Sequence, residues 1–221
     1  MVQKTRTAKK KLFSGAKKAL HKPNTEGIGK RLGKQAQERT EKRFFELVKQ
    51  GDRKGLDHQI SRLEKAHVDL KFIMNAKDSI NVTLLMYAAG QESPEICSLL
   101  LEKGADAGIK DGMDRTALQR AAYHGRFQNC KLIIEEYAKA GGDAKGLIAS
   151  GDHIGTTPLH FAAQFGYTQS CAALMGQYKK AGGNVKDLVS AKDNSGWTAL
   201  MHAAMHGRNE TAAFLKSMES R

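Results

Sequence analysis

Thr157-Pro158-Leu159-His160-Phe161-Ala162-Ala163, or TPLHFAA, has three degraded copies in the same chain, beginning at Thr83, Thr116 and Thr198. Each copy carries an Ala-Ala pair at the same distance from its Thr: Ala88-Ala89, Ala121-Ala122, Ala162-Ala163 and Ala203-Ala204. The Thr residues are 33, 41 and 41 positions apart, and Asp78, Asp111, Asp152 and Asp193 mark the same register. Self-similarity at a period of about 20–50 residues is the signature of a stacked array, in which each unit buries its apolar face only against its neighbours.

The TPLHFAA word resembles the ankyrin-repeat family, and residues from about Phe44 to the C-terminus follow its pattern. The resemblance implies an all-α solenoid of helix-turn-helix units with short hairpin tips. The implied units are an N-terminal capping repeat at 44–77, repeats at 78–110, 111–151 and 152–192, and a C-terminal repeat or cap at 193–221, all preceded by a basic extension at 1–43. In this pattern the Thr starts the first helix and satisfies a free backbone amide, and Pro158 at the first turn loses no helical hydrogen bond. His160 reads as a hydrogen-bonded structural residue rather than a catalyst. Met86, Gln119 and Met201 replace it in the other copies, which predicts weaker local hydrogen bonding there. Glu92 stands where Gly125, Gly166 and Gly207 mark the turn between helices, so the 78–110 unit is expected to bend differently.

The two 41-residue units end in Tyr137-Ala138-Lys139-Ala140-Gly141-Gly142 and Tyr178-Lys179-Lys180-Ala181-Gly182-Gly183. An additional helical turn followed by a Gly-Gly stop is the simplest reading, after which Leu147-Ile148 and Leu188-Val189 return the chain to the core. The cap shares this longer module, because Ala76-Lys77-Asp78 aligns with Ala191-Lys192-Asp193. Residues 34–49 are predicted helical, anchored by Phe44, Phe45, Leu47 and Val48.

Cys97, Cys130 and Cys171 are separated by the repeat spacings themselves, so they fill one structural slot inside the second helix of successive units. Their odd number and wide separation argue against pairing, and free Cys behaves there as a small hydrophobe. Residues 1–43 hold 14 Lys or Arg against Glu26, Glu38 and Glu41, a net charge of +11, whereas the remainder holds 22 basic against 20 acidic residues. Nearly all of the basicity is therefore in the N-terminal segment. Lys9, Lys10, Lys11, Lys17 and Lys18 lie there among Leu12, Phe13, Ala16, Ala19 and Leu20, a pattern that serves either a solvated extension or a short basic amphipathic helix. Such a segment attracts nucleic acid, anionic membrane or an acidic protein.

Nothing in the chain suggests an enzyme or a cofactor. His202 and His206 have the spacing of two zinc ligands, but no third ligand or catalytic Glu accompanies them. There is no P-loop, nucleophile elbow or kinase signature. With no run of about 18 apolar residues and no secretory signal pattern, the chain is expected in the cytoplasm, with the nucleus or delivery into a host cell as alternatives. The resemblance implies a non-enzymatic scaffold or adaptor that binds a partner protein on its concave surface. Carried over residue by residue, the hairpin candidates are Ile80, Val82, Met113, Arg115, His153, Ile154 and Trp197, and the groove candidates are Tyr123, His124, Phe165, Met205 and His206. Trp197 is the expected anchor. The alternative is a nucleic-acid or anionic-membrane recruitment factor acting mainly through the basic segment. Partner identity and oligomeric state are not legible.

Overall fold

A computed structural model of the chain describes residues 33–219. Its body is a row of helices stacked in one direction. The first unit contains α1 (Lys34–Gln50), α2 (Arg53–Lys65) and α3 (Lys71–Met74), and the second α4 (Leu84–Ala89) and α5 (Glu95–Glu102). The third holds α6 (Ala117–Tyr123), α7 (Phe127–Lys139) and α8 (Ala144–Ala149), and the fourth α9 (Pro158–Gln164), α10 (Thr168–Lys180) and α11 (Val185–Ser190). Helices α12 (Ala199–Met205) and α13 (Asn209–Glu219) form the last. Among the described residues, β pairing is limited to two isolated bridges, Lys77 with Thr83 and Lys192 with Thr198.

The recurring Asp builds a finger before each inner helix. Asp78 Oδ1 accepts from the amides of Ile80 and Val82, Asp111 Oδ1 from Met113 and Arg115, Asp152 Oδ1 from Ile154 and Thr156, and Asp193 Oδ1 from Ser195 and Trp197. The recurring Thr then caps the helix, as when Thr83 Oγ1 accepts from Met86 N and Thr198 Oγ1 from Met201 N. One continuous apolar cluster runs through all the units, from Phe44 and Leu47 in α1 to Leu215 in α13. Cys97, Cys130 and Cys171 are buried in it as free thiols.

The long modules differ from the expectation of an extra turn alone. Their outer helices are longer, 13 residues in α7 and α10 against 8 in α5. A third short helix follows each, and it is this helix that buries Leu147-Ile148 or Leu188-Val189. The cap repeats the plan, with α3 burying Ile73 and Met74. Asp143 and Asn184 cap α8 and α11 by accepting from Gly146 N and Lys186 N. The Gly-Gly stop serves two separate needs. Gly141 and Gly182 take positive φ, 85° and 78°. A Cβ on Gly142 or Gly183 would fall 2.4 Å or 2.3 Å from the ring of Tyr137 or Tyr178.

Helix α1 starts at Lys34, within the span predicted helical, and its first buried residue is Phe44. One further expectation needs correction. Gln119 does not weaken its capping site, because an amide matches an imidazole in reach and in having both a donor and an acceptor. Thr116 N donates to Gln119 Oε1 at 2.8 Å, and Gln119 Nε2 donates to Thr156 O of the next finger at 2.8 Å. His160 makes the same bridge, accepting from Thr157 N at Nδ1 and donating from Nε2 to Trp197 O at 3.0 Å. At Met86 a thioether 3.4 Å from Thr83 N is the weak substitute the sequence suggests. The turn containing Glu92 does depart from the others: it has no positive-φ residue, and side chains of the next unit hold it. Asn129 Nδ2 donates to Ala89 O and Gln91 O, and Arg126 Nε to Gly90 O.

Candidate concave recognition surface

Helices α6 and α9 lie side by side, and the residues after their Ala-Ala pairs meet across the gap. Tyr123 sits edge-on to Phe165 with ring centroids 4.7 Å apart and to Phe161 at 5.8 Å, and it touches the His124 ring at 5.0 Å. Phe165 in turn stacks on Tyr167 at 6.2 Å. Tyr123 is nonetheless exposed and Phe165 half-buried, so this is an aromatic floor that still faces solvent. Edge-to-face rings of this kind are rigid, apolar contact area.

Phe161 and Tyr167 were not among the sequence candidates. Phe161 belongs to the TPLHFAA word and is masked by its structural role. Tyr167 follows the turn glycine, where Arg126 and Arg208 stand in neighbouring units and donate to the carbonyls of Gly90 and Gln164 in the preceding one. Tyr167 instead lies on Gly125, where a Cβ would come within 2.6 Å of its ring. The break in the Arg pattern was the available signal.

Charge surrounds the floor. Burial pushes the His124 pKa below its ordinary value, and the guanidinium groups of Arg126 and Arg120 push it further down. Arg120 is itself tied to Asp111, with Nη2 3.1 Å from Oδ2. Farther along the row, Met205 is exposed and His206 places Nδ1 2.9 Å from His202 O. The His202 and His206 rings stack at 6.4 Å, with His202 Nε2 bound to Asp193 Oδ2 at 2.8 Å. Among the described residues no group of three or more His, Cys, Asp or Glu has the arrangement to hold a metal ion.

The hairpin candidates separate into different environments. Ile80, Met113 and Ile154 stand exposed at the finger tips, with His153 exposed beside Ile154. Val82 does not belong with them: it is 1% exposed, because the finger closes on its amide and turns its side chain into the core. Arg115 is half-buried, with Nε 3.1 Å from Asp111 Oδ2. Trp197 is half-buried, its ring 5.5 Å from that of His202. The five tail lysines, Lys9, Lys10, Lys11, Lys17 and Lys18, lie outside the described residues.

The same units are recognised from the sequence by a family model for ankyrin repeats in three copies, which matches residues 51–145 and 137–220. No curated protein matches the chain significantly. Ankyrin repeats are in general protein–protein interaction modules. Finger, capped inner helix, turn and outer helix recur in register through the stack, and the family match covers most of it: the chain belongs to the ankyrin-repeat family.

Proposed function

We propose that the chain is a non-enzymatic adaptor that grips one partner protein on its concave surface, with the basic N-terminal segment as a second attachment. The observation that supports this is the solvent-facing floor of Tyr123, Phe161 and Phe165 on adjacent inner helices. Rigid aromatic area beside cationic groups suits a partner segment with an apolar anchor and acidic neighbours. Two linked contacts strengthen association well beyond either alone when one assembly offers both surfaces. The adaptor would act inside the cell.

The test is affinity capture with quantitative mass spectrometry, using the full chain, a Tyr123→Ala plus Phe165→Ala variant, and a variant with the five tail lysines changed to Gln. A partner retained by the tail variant and lost by the aromatic variant supports the reading. Capture that depends on the tail and ignores the aromatic pair refutes it. A truncation for this purpose must end before Gly33, because a cut at residue 43 would remove the first half of α1.

A further inference from the structure

Ile80, Met113 and Ile154 occupy one position, two residues after the finger Asp, and are 62%, 45% and 52% exposed. The backbone beneath them forms a ladder. Gly112 N donates to Ile80 O, His153 N to Met113 O and Asn194 N to Ile154 O, so the three tips are held at the repeat spacing as protruding points. A second position in register is basic and exposed: Lys77, Lys110 and Lys192 each immediately precede a finger Asp. The Asp carboxylates themselves are committed to finger amides, and Asp114 is the one exposed acid on the fingers.

The basic segment joins the folded body on the same edge. Helix α1 takes the inner-helix place beside α4, and both run from the finger edge toward the turn. At 17 residues, α1 is far longer than the six of α4, and the excess lies at its start. Glu38, Glu41, Lys42 and Phe45 share a cleft with Lys77, Asp78 and Ser79 of the first finger. The start of α1 therefore lies beside the first finger, and the sequence before it, residues 1–32, holds 10 Lys or Arg against one Glu.

We propose that the finger edge docks on an anionic phospholipid membrane, with Ile80, Met113 and Ile154 entering the interface and Lys77, Lys110 and Lys192 meeting the headgroups. A folded protein would need three separate pockets at the repeat spacing to receive these tips. A fluid bilayer receives protruding apolar side chains without shape complementarity, and its anionic headgroups attract the flanking charge. This goes beyond the concave-surface reading and does not depend on it, since the tips and the aromatic floor are different residues.

The experiment is co-sedimentation of the full chain with vesicles of phosphatidylcholine alone or mixed with phosphatidylserine. The comparison is a combined Ile80→Ser, Met113→Ser, Ile154→Ser variant whose melting curve is checked against wild type. Wild type is expected on the phosphatidylserine vesicles only, and the variant's partition coefficient is expected to fall about tenfold or more. A second readout places a Trp at the tip by Ile154→Trp with Trp197→Phe and measures quenching by brominated lipid, which insertion requires. Unchanged partitioning of the finger variant, no binding to either vesicle, absence of quenching, or tail-dependent capture of an oligonucleotide in place of vesicles overturns the proposal.

Discussion

Replacing His160 separates its bonding role from its titration. The side chain is 1% exposed and joins two repeats: Thr157 N donates to Nδ1, and Nε2 donates to Trp197 O. His160→Ala leaves the Thr157 amide buried without a partner, while Trp197 O keeps its bond from Asp193 N, and it removes a ring from a packed site. The orphaned amide costs about 1–3 kcal/mol, and the space left by the ring adds to it, so a loss of about 3 kcal/mol is expected. At this chain length that lowers Tm by roughly 6–12 °C. His160→Gln should cost under about 1 kcal/mol, because Gln119 makes the same two bonds one repeat earlier. The two variants also differ in pH response. Burial pushes the His160 pKa below its ordinary 6.5, and the Trp197 carbonyl only partly opposes it. The neutral form's stabilisation is therefore complete above pH 6.5 and is lost as pH falls from there toward the depressed folded value. His124 is shifted in the same direction and contributes equally to wild type and variant, so the difference in slope isolates His160. The assay is urea unfolding followed by circular dichroism at a series of pH values. A Gln variant as unstable as the Ala variant, or one with the wild-type pH slope, would refute the bridge and the neutral imidazole respectively.

Gly125→Ala should destabilise by about 1–3 kcal/mol, since φ is +70° and the new Cβ would meet Tyr167, whereas Gly176→Ala within α10 meets nothing and should stabilise by about 0.5–1 kcal/mol; thermal melts compare them directly. At Asp78, Asp111 and Asp193 burial raises the pKa but bonds from finger amides and neighbouring side chains outweigh it, so all three carboxyls end below 3.8. Finger stability should hold above about pH 4 and fade as pH drops through the lowered values, read as a loss of amide exchange protection in the fingers on acid titration. The thiols of Cys97 and Cys171 are pushed up to about 12 by burial, and that of Cys130 is raised as well. All three should resist a thiol reagent in buffer and react together in urea, and labelling of folded protein would show that the stack opens between units.

Much of the fold was legible because the periodic residues perform backbone chemistry. Asp, Thr and the Ala pair recur where a finger needs an acceptor, a helix needs a cap and two inner helices need close approach. The third helices were less legible, since Ala144–Ala149 and Val185–Ser190 are single short segments whose two apolar residues suit a loop anchor equally well. Val82 was misplaced because one residue separates a tip from a core position in a five-residue finger. Tyr123 and Phe165 could be carried over from the repeat pattern, but their 4.7 Å contact depends on how α6 and α9 stack. A single sequence does not encode that distance in any local word.

The unequal repeat lengths raise the question of how a recognition face stays regular when some units are 33 residues and others 41. The extra residues go to the longer outer helices α7 and α10 and to α8 and α11, while inner helices α6, α9 and α12 all have seven residues and α4 has six. The finger ladder likewise ignores the difference: one bond of the same kind links fingers across the short unit, Gly112 N to Ile80 O, and across the long ones, His153 N to Met113 O and Asn194 N to Ile154 O. Added length is thus absorbed away from the inner helices, where Leu147, Ile148, Leu188 and Val189 give it apolar area to bury. Burying one such side chain contributes about 1.5–3 kcal/mol, enough to offset part of the entropy of ordering a six-residue segment. The aromatic floor and the row of finger tips can therefore keep a common spacing while the outer layer of the solenoid thickens.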